Sequence, residues 1–350
     1  MSQLDWNETP CAREEPDFGN LLAVLERRRP ARPTLFEFFL NGELHRRLAG
    51  DKFAGGKDPL DPYREAALAF RNAGYDYLTV LVPGFWFQTG HVEQKSSRSL
   101  NAGALVSDRA SFKSYPWPDV DALDFGFLDR LGAELHRGMK LIVYCPNGIL
   151  ENVINIVGFE NLCFMIHDDE KLVVDLFEAV GSRLVRHVEL CVRHDSVGAV
   201  IGNDDWGFKT QTMLKTEDMR RFVFPWHKRL VAAAHAAGRP AILHSCGNLA
   251  PVMDDIIADI GYDAKHSYED AILPVEEAYE RYGRRIAILG GIDVDFVCRS
   301  APEKVYERSR AMLDRTRERG GYALGTGNSV PGYVPQDHYF AMIRAALDMR

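Results

Sequence analysis

The chain has 350 residues, of which 46% are hydrophobic and 26% charged, a balance that excludes disorder as its main state. Against 50 Asp and Glu stand 42 Lys and Arg, and the net charge of −8 argues against nucleic acid or an anionic membrane as a partner. No run approaches ~18 consecutive apolar residues, the polar N-terminus has no signal-peptide core, and six scattered cysteines form no CxxC motif, so the expected setting is a reducing cytoplasm.

Residues 1–33 read as an N-terminal extension holding one helix over 17–29, ended by Pro30 and Pro33. From there apolar, β-rich runs alternate with longer amphipathic segments. Strands are predicted over 34–40 (TLFEFFL), 77–83, 140–145, 198–203, 240–246, 263–268, 286–292 and 322–327. Long helices are predicted over 217–237 and 302–319. Gly74, Gly138, Gly238, Gly261, Gly283 and Gly320 stand where a left-handed residue would end a helix before the next strand. Two insertions interrupt the alternation: 84–119 after the second strand, rich in Gly, Ser and aromatics, and 150–196 after the third. The pattern predicts an α/β fold, a (β/α)8 TIM barrel forming a single domain over 34–350. A doubly wound open sheet is the alternative; no GxGxxG follows the first strand, which weakens it.

In a barrel the chemistry sits at the C-terminal strand ends, and there this chain gathers polar and ligand-type residues. They are Asn41; Asn147 and Glu151; Asn203, Asp204, Asp205 and Trp206; His244, Ser245 and Cys246; Glu269; Asp293; Asn328 and Ser329. For any one Asn or Asp, capping of the next helix is the plain alternative. His244 and Cys246 are two apart, so at the end of a strand both face the mouth, and imidazole with thiolate suits zinc. The alternative is a buried thiol beside a hydrogen-bonded imidazole. Glu269, on the next strand, is the best third ligand, and Ser329, Asn328, Asp204 and Asp205 can also reach the mouth. Asn203, Asp204 and Asp205 are the catalytic candidates: adjacent carboxylates point opposite ways on a strand, so one can serve as acid, base or cation binder while the other caps. Asn41, Trp86, Asn147, Trp206 and Asn328 are the predicted substrate pocket, with Phe85, Trp86 and Phe87 either an apolar wall over it or ordinary loop packing.

On the passages HSCGNLAPVMDDIIADIGYDAKHSYED (244–270), DDWGFKTQTMLKTEDMRRFVFPWHKRLVAAAHAAG (204–238) and ALGTGNSVPGYVPQDHYFAMIRAAL (323–347), the chain resembles the uroporphyrinogen decarboxylase superfamily. This group includes zinc-dependent methyltransferases serving corrinoid proteins and coenzyme M. The resemblance implies a (β/α)8 barrel with His244 and Cys246 as zinc ligands and Glu269 matching, by position, a ligand of methionine synthase relatives. The family's second cysteine has no counterpart in Gly327-Asn328-Ser329, which leaves Ser329 as the candidate in its place. The decarboxylase branch carries an arginine-rich motif after its first strand, where this chain has Phe39-Leu40-Asn41-Gly42-Glu43. The implied activity is methyl transfer between a small methylated compound and a corrinoid or thiol acceptor, with cobalamin on a separate partner protein and a homodimer as the family-level assembly. The alternatives are a metal-free lyase like uroporphyrinogen decarboxylase, acting on an acidic substrate, and a non-catalytic binder of a corrinoid or small ligand.

Overall fold

The computed structural model describes residues 5–53, 57–90 and 99–350; the first four residues of the expected extension and residues 91–98 of the expected loop over 84–119 lie outside the described residues. Seven parallel strands pair strictly in chain order: β1 (Tyr77–Val80), β2 (Lys140–Tyr144), β3 (Val197–Asn203), β4 (Ala241–His244), β5 (Ala264–His266), β6 (Ala287–Leu289) and β7 (Tyr322–Ala323). A doubly wound sheet reverses its strand order at a switch point, and this order does not. The strands are near-continuous apolar runs because both sheet faces are covered; in β3 only Asn203, the last residue, is not fully buried.

The strand expected over 34–40 is absent as a ladder. Its backbone makes isolated parallel bridges to the far end of the chain, Leu35 with Leu324 and Leu40 with Val330. Toward β1 it is held by side chains instead. The Tyr77 hydroxyl lies 2.7 Å from both the N–H and the carbonyl of Glu37, and Thr79 Oγ1 donates to the Phe38 carbonyl at 2.7 Å. Hydroxyls that stand in for the neighbouring strand satisfy the backbone without a regular register.

The strands also stop earlier than expected. The regular ladders end at His244, His266 and Ala323 rather than at 246, 268 and 327, with only isolated bridges beyond, such as Ile292 with Thr326. Past these points the chain turns through positive φ at Gly247 (87°), Ser267 (83°), Gly290 (66°) and Gly291 (102°). Cys246, Glu269 and Asn328 therefore sit on loops just beyond the strand ends. Gly247 packs so closely that a Cβ there would lie 2.1 Å from the Gly207 carbonyl oxygen, which excludes any side chain.

In the extension a helix runs over Phe18–Leu25 behind an Asp17 N-cap. Of the six predicted helix stops, Gly74, Gly138, Gly238, Gly261 and Gly320 adopt positive φ, whereas Gly283 is helical at φ −62°. The helix expected over 217–237 is broken by a π-turn at Met219–Val223, upstream of Pro225, whose missing N–H cannot serve the Arg221 carbonyl. The insertion after β2 forms the helices Ile149–Val157, Phe159–Asp168 and Glu170–Cys191. Among the described residues no single helix is long and apolar enough to cross a membrane.

Candidate metal centre

Three ligand-type side chains converge beyond β3 and β4. Ligand atoms of Asp205, His244 and Cys246 all lie within 4.8 Å of one another. Register brings them together: Asn203 pairs with His244, so the two residues after each strand end emerge side by side. The Asp205 carboxylate also accepts the Cys246 backbone N–H at 2.8 Å, which fixes the turn carrying the sulfur.

The surroundings of each ligand suit a cation. His244 Nδ1 lies 2.7 Å from Nδ1 of His266, its register partner on β5, so the two nitrogens share one proton. With that proton on His244, its Nε2 lone pair is free and faces Cys246 Sγ at 4.0 Å. Such an outer hydrogen bond sets the tautomer and angle of a metal-binding imidazole. Burial lowers the His244 pKa to about 4 and that of His266 well below the usual range, so both rings are neutral. Phe38 and Phe36 pack on the two rings, at 4.8 and 5.0 Å between centroids. Cys246 Sγ accepts from Ser267 Oγ and from Asn328 Nδ2, each at 3.4 Å. Two donors aimed at one sulfur are what a thiolate wants. Burial, followed by the Asp205 charge, pushes the Cys246 thiol up to about 12, so a metal must displace its proton.

Beneath Asn328 lies a buried carboxyl, Glu37. It accepts the Thr326 N–H at 2.6 Å, and its other oxygen is 2.8 Å from Thr326 Oγ1, which also lies 2.8 Å from the Asn328 carbonyl. One hydroxyl has one proton and cannot donate to both. A protonated Glu37 that donates to Oγ1 resolves the chain, and burial indeed raises its pKa to about 8. Glu151 is likewise raised to about 8, by burial and then by the charges of Asp204 and Asp205, and so stands protonated beside the centre at neutral pH.

The other predicted residues fall differently. Asp204 is fully buried and structural: it accepts from Leu150 N at 2.9 Å and Glu151 N at 3.0 Å at the start of helix Ile149–Val157, and lies 2.9 Å from His227 Nε2. A Cβ on Gly148 would sit 2.0 Å from Asp204 Cβ, so glycine is required for this approach. Asn203 accepts the Cys145 N–H at 3.3 Å, tying two strand ends. Asn41 is the N-cap of helix Gly42–Ala49. Asn147 is exposed, in a left-handed turn at φ 58°. Trp206 is fully buried against Phe224 and His227, not pocket-lining, and its Nε1 has no partner. Phe85 and Phe87 turn into the core, and only Trp86 stays outside, 64% exposed. The Glu269 carboxylate is not in the convergent set; Glu269 lines a side cleft with Ser329 and Asp293. Ser329 spends its backbone N–H on Asn328 Oδ1, and it is Asn328 that reaches Cys246.

Besides Ser267, three participants were not singled out from sequence. His266 has a signal, a register place opposite His244. Glu37 has one too, a lone charge inside TLFEFFL. Lys265, buried on the opposite face of β5 from His266, has its pKa lowered by burial to about 8.

A parallel α/β sheet in unbroken order with ligands at its C-terminal ends defines a barrel-type architecture. The family model described as Uroporphyrinogen decarboxylase (URO-D) matches residues 127–349, and the chain belongs to this family. It is 30% identical over 137 residues to a methylated-thiol–coenzyme M methyltransferase of Methanosarcina mazei, covering 39% of this chain and 34% of that protein. It is 25% identical over 188 residues to a uroporphyrinogen decarboxylase of an Anaeromyxobacter species, covering 54% of this chain and 51% of the relative. The chain thus spans about a third to a half of these curated relatives. Among solved structures, a methyltransferase from Methanosarcina mazei shares the fold with a TM-score of 0.68 at 15% identity, over 95% of this chain and 98% of that one. A putative vitamin-B12-independent methionine synthase from Listeria monocytogenes shares it with a TM-score of 0.50 at 10% identity, over 91% and 98%.

Proposed function

We propose that the chain is a cytoplasmic, zinc-dependent methyltransferase that moves a methyl group between a small methylated compound and a corrinoid or thiol acceptor, the cobalamin residing on a separate protein. One (β/α)8 domain over 34–350 carries it, with the bridged segment 34–40 as the eighth stave. The observation that carries this reading is the convergence of Asp205, His244 and Cys246, with two hydrogen-bond donors, Ser267 Oγ and Asn328 Nδ2, aimed at the sulfur. Three ligands of mixed N, S and O type leave a fourth position open, as catalytic zinc sites do. Zinc held there supplies Lewis acidity that keeps a thiol ionised at neutral pH.

The chain's own groups do the rest. His266 holds the His244 tautomer, and Ser267 and Asn328 hold the sulfur in its anionic form. Asp205 adds a second negative ligand where the family's second cysteine is missing, and oxygen in place of sulfur leaves the centre harder and more electrophilic. Glu151, protonated and next to Asp205, is placed to give a proton to a leaving thiolate. The mouth gathers carboxyl and amide groups, a poor receptor for a polycarboxylate, which speaks against decarboxylation of a porphyrinogen.

The test is elemental analysis of chelator-washed, zinc-reloaded protein, followed by methyl-transfer assays with methylated thiols as donors and free cobalamin or a thiol as acceptor. About one tightly held zinc per chain together with metal-dependent transfer is expected. Absence of bound metal, or loss of CO2 from a porphyrinogen that persists without metal, overturns the reading.

A further inference from the structure

A cavity of about 240 Å³ opens between the loops that follow β4 and β5, on the far side of Ser267 from the metal ligands. Its apolar wall is Leu249, Met253, Ile272 and Leu273, its buried polar groups include Lys265 and Tyr268, and half-buried Glu269 and exposed Arg281, of opposite charge, also line it. Strand alternation explains the lysine: His266 points inward to His244, so Lys265 points outward toward the helices. Only 4% of Lys265 is exposed. Its Nζ donates to the Ser267 carbonyl at 2.6 Å and to the Ser245 carbonyl at 3.3 Å, and it lies 4.3 Å from the centre of the Tyr268 ring. An ammonium has three protons, and these two carbonyls take two. Among the described residues no carboxylate lies within 4.0 Å of it; Asp205 and Glu269 act on it only through space, although a cation is rarely buried without a close counter-charge. The Tyr268 hydroxyl, on the same cavity, is also buried and has no partner. A buried cation without a close anion and a buried phenol without an acceptor, together under an aliphatic wall, are complementary to one kind of molecule.

We propose that this cavity binds a small monocarboxylate with a short apolar body, its carboxylate held by Lys265 Nζ and Tyr268 Oη and its hydrocarbon lying on Leu249, Met253, Ile272 and Leu273. A single buried cation and a single hydroxyl match one negative charge, and the small volume excludes larger anions such as nucleotides. The site is separate from the metal centre but mechanically joined to it. The Ser267 carbonyl that holds Lys265 belongs to the residue whose hydroxyl donates to Cys246 Sγ. The proposal does not depend on methyl transfer.

Calorimetric titration of the whole chain with hexanoate, 1-hexanol and hexylamine tests it. Hexanoate is expected to bind at one site per chain, at least about tenfold tighter than hexanol, with no binding of hexylamine. Lys265→Met abolishes hexanoate binding and Tyr268→Phe weakens it about tenfold. Ala250→Trp fills the cavity from its exposed rim without disturbing the core, so it abolishes binding even if Lys265→Met does not fold. Hexanoate binding no tighter than hexanol overturns the proposal. So does binding that survives Ala250→Trp, or that is lost in Cys246→Ser while Ala250→Trp retains it, since the anion would then sit at the metal centre.

Discussion

Two clusters in this molecule contain the same ingredients and have opposite chemistry. At the ends of β3 and β4, Asp205, His244 and Cys246 point their ligand atoms at one place. Deeper in the fold, Cys145 Sγ lies 3.6 Å from His187 Nδ1 and Cys191 Sγ 3.5 Å from His187 Nε2. Cys191 Sγ is also 3.9 Å from Nδ1, so both thiols approach one nitrogen, yet these three residues do not bring their ligand atoms within 4.8 Å of one another as the first cluster does. The His187 ring packs on Phe85 and Phe125, all three polar side chains are buried, and burial drives His187 down to about 3 and Cys145 up to about 12. No carboxylate faces the pair, and its atoms are packing. What separates a site from a core is convergence, a carboxylate, and donors on the sulfur, rather than residue type.

The largest effect expected is on metal content. His244→Ala or Cys246→Ser lowers bound zinc from about one per chain to below about a tenth, while Cys191→Ala leaves it unchanged. Elemental analysis after dialysis reads both, and zinc loss in Cys191→Ala would erase the distinction.

The two regions also differ in the sign of their pH dependence. Glu37, beside the candidate metal centre, has a folded pKa raised from 4.5 to about 8, so its contribution to stability is complete below 4.5 and is lost as the pH rises to about 8. His187 has a folded pKa lowered from 6.5 to about 3, so its contribution is complete above 6.5 and is lost as the pH falls toward about 3. Each limb changes the folding equilibrium by about tenfold per pH unit within its window. Glu37→Gln, which keeps both bonds to Thr326, flattens the alkaline limb in urea unfolding and leaves the acid limb in place. A Glu37→Gln variant as alkali-sensitive as the parent would show that Glu37 is ionised in the folded protein.

The adjacent aspartates come next. Asp204→Asn costs about 2–4 kcal/mol of stability, because it weakens the helix cap and the His227 contact in a buried setting, yet it keeps the zinc. Asp205→Asn weakens zinc about 10–100-fold with little change in unfolding. Equal effects on both readouts would mean that the two carboxylates act as one unit. The smallest effect is at His266→Gln, where a competing chelator should show zinc affinity reduced about tenfold, since the outer hydrogen bond is only partly replaced.

Much of this was legible in the chain itself. Seven of the eight expected strands form, because buried parallel strands announce themselves as apolar runs between glycine-ended helices. The segment 34–40 reads as a strand by composition, but toward β1 its backbone partners are the hydroxyls of Tyr77 and Thr79, and nothing in TLFEFFL foretells a distant side chain as partner. His244 and Cys246 were legible from their spacing. The choice between Asp204 and Asp205 was not, since it rests on whether a glycine 56 residues upstream, Gly148, lets the helix start approach one carboxylate. Glu269 looked better placed than Asp205 because strand β5 was expected to continue to 268; it ends at His266, and the turn at Ser267 carries Glu269 off to the side cleft.

The bridges between 34–40 and 324–330 join parts of the chain almost three hundred positions apart. During synthesis the segment 34–40 is made long before its backbone partner, so it lacks that partner until the segment around 324–330 has left the ribosome. Asn328, which completes the sulfur's surroundings, arrives with that same segment. The bridging of 34–40 to 324–330 and the completion of the candidate metal pocket are therefore a single late event. A nascent or truncated chain ending before Leu324 is an open sheet with an unfinished thiol site, a natural client for chaperones and for proteases.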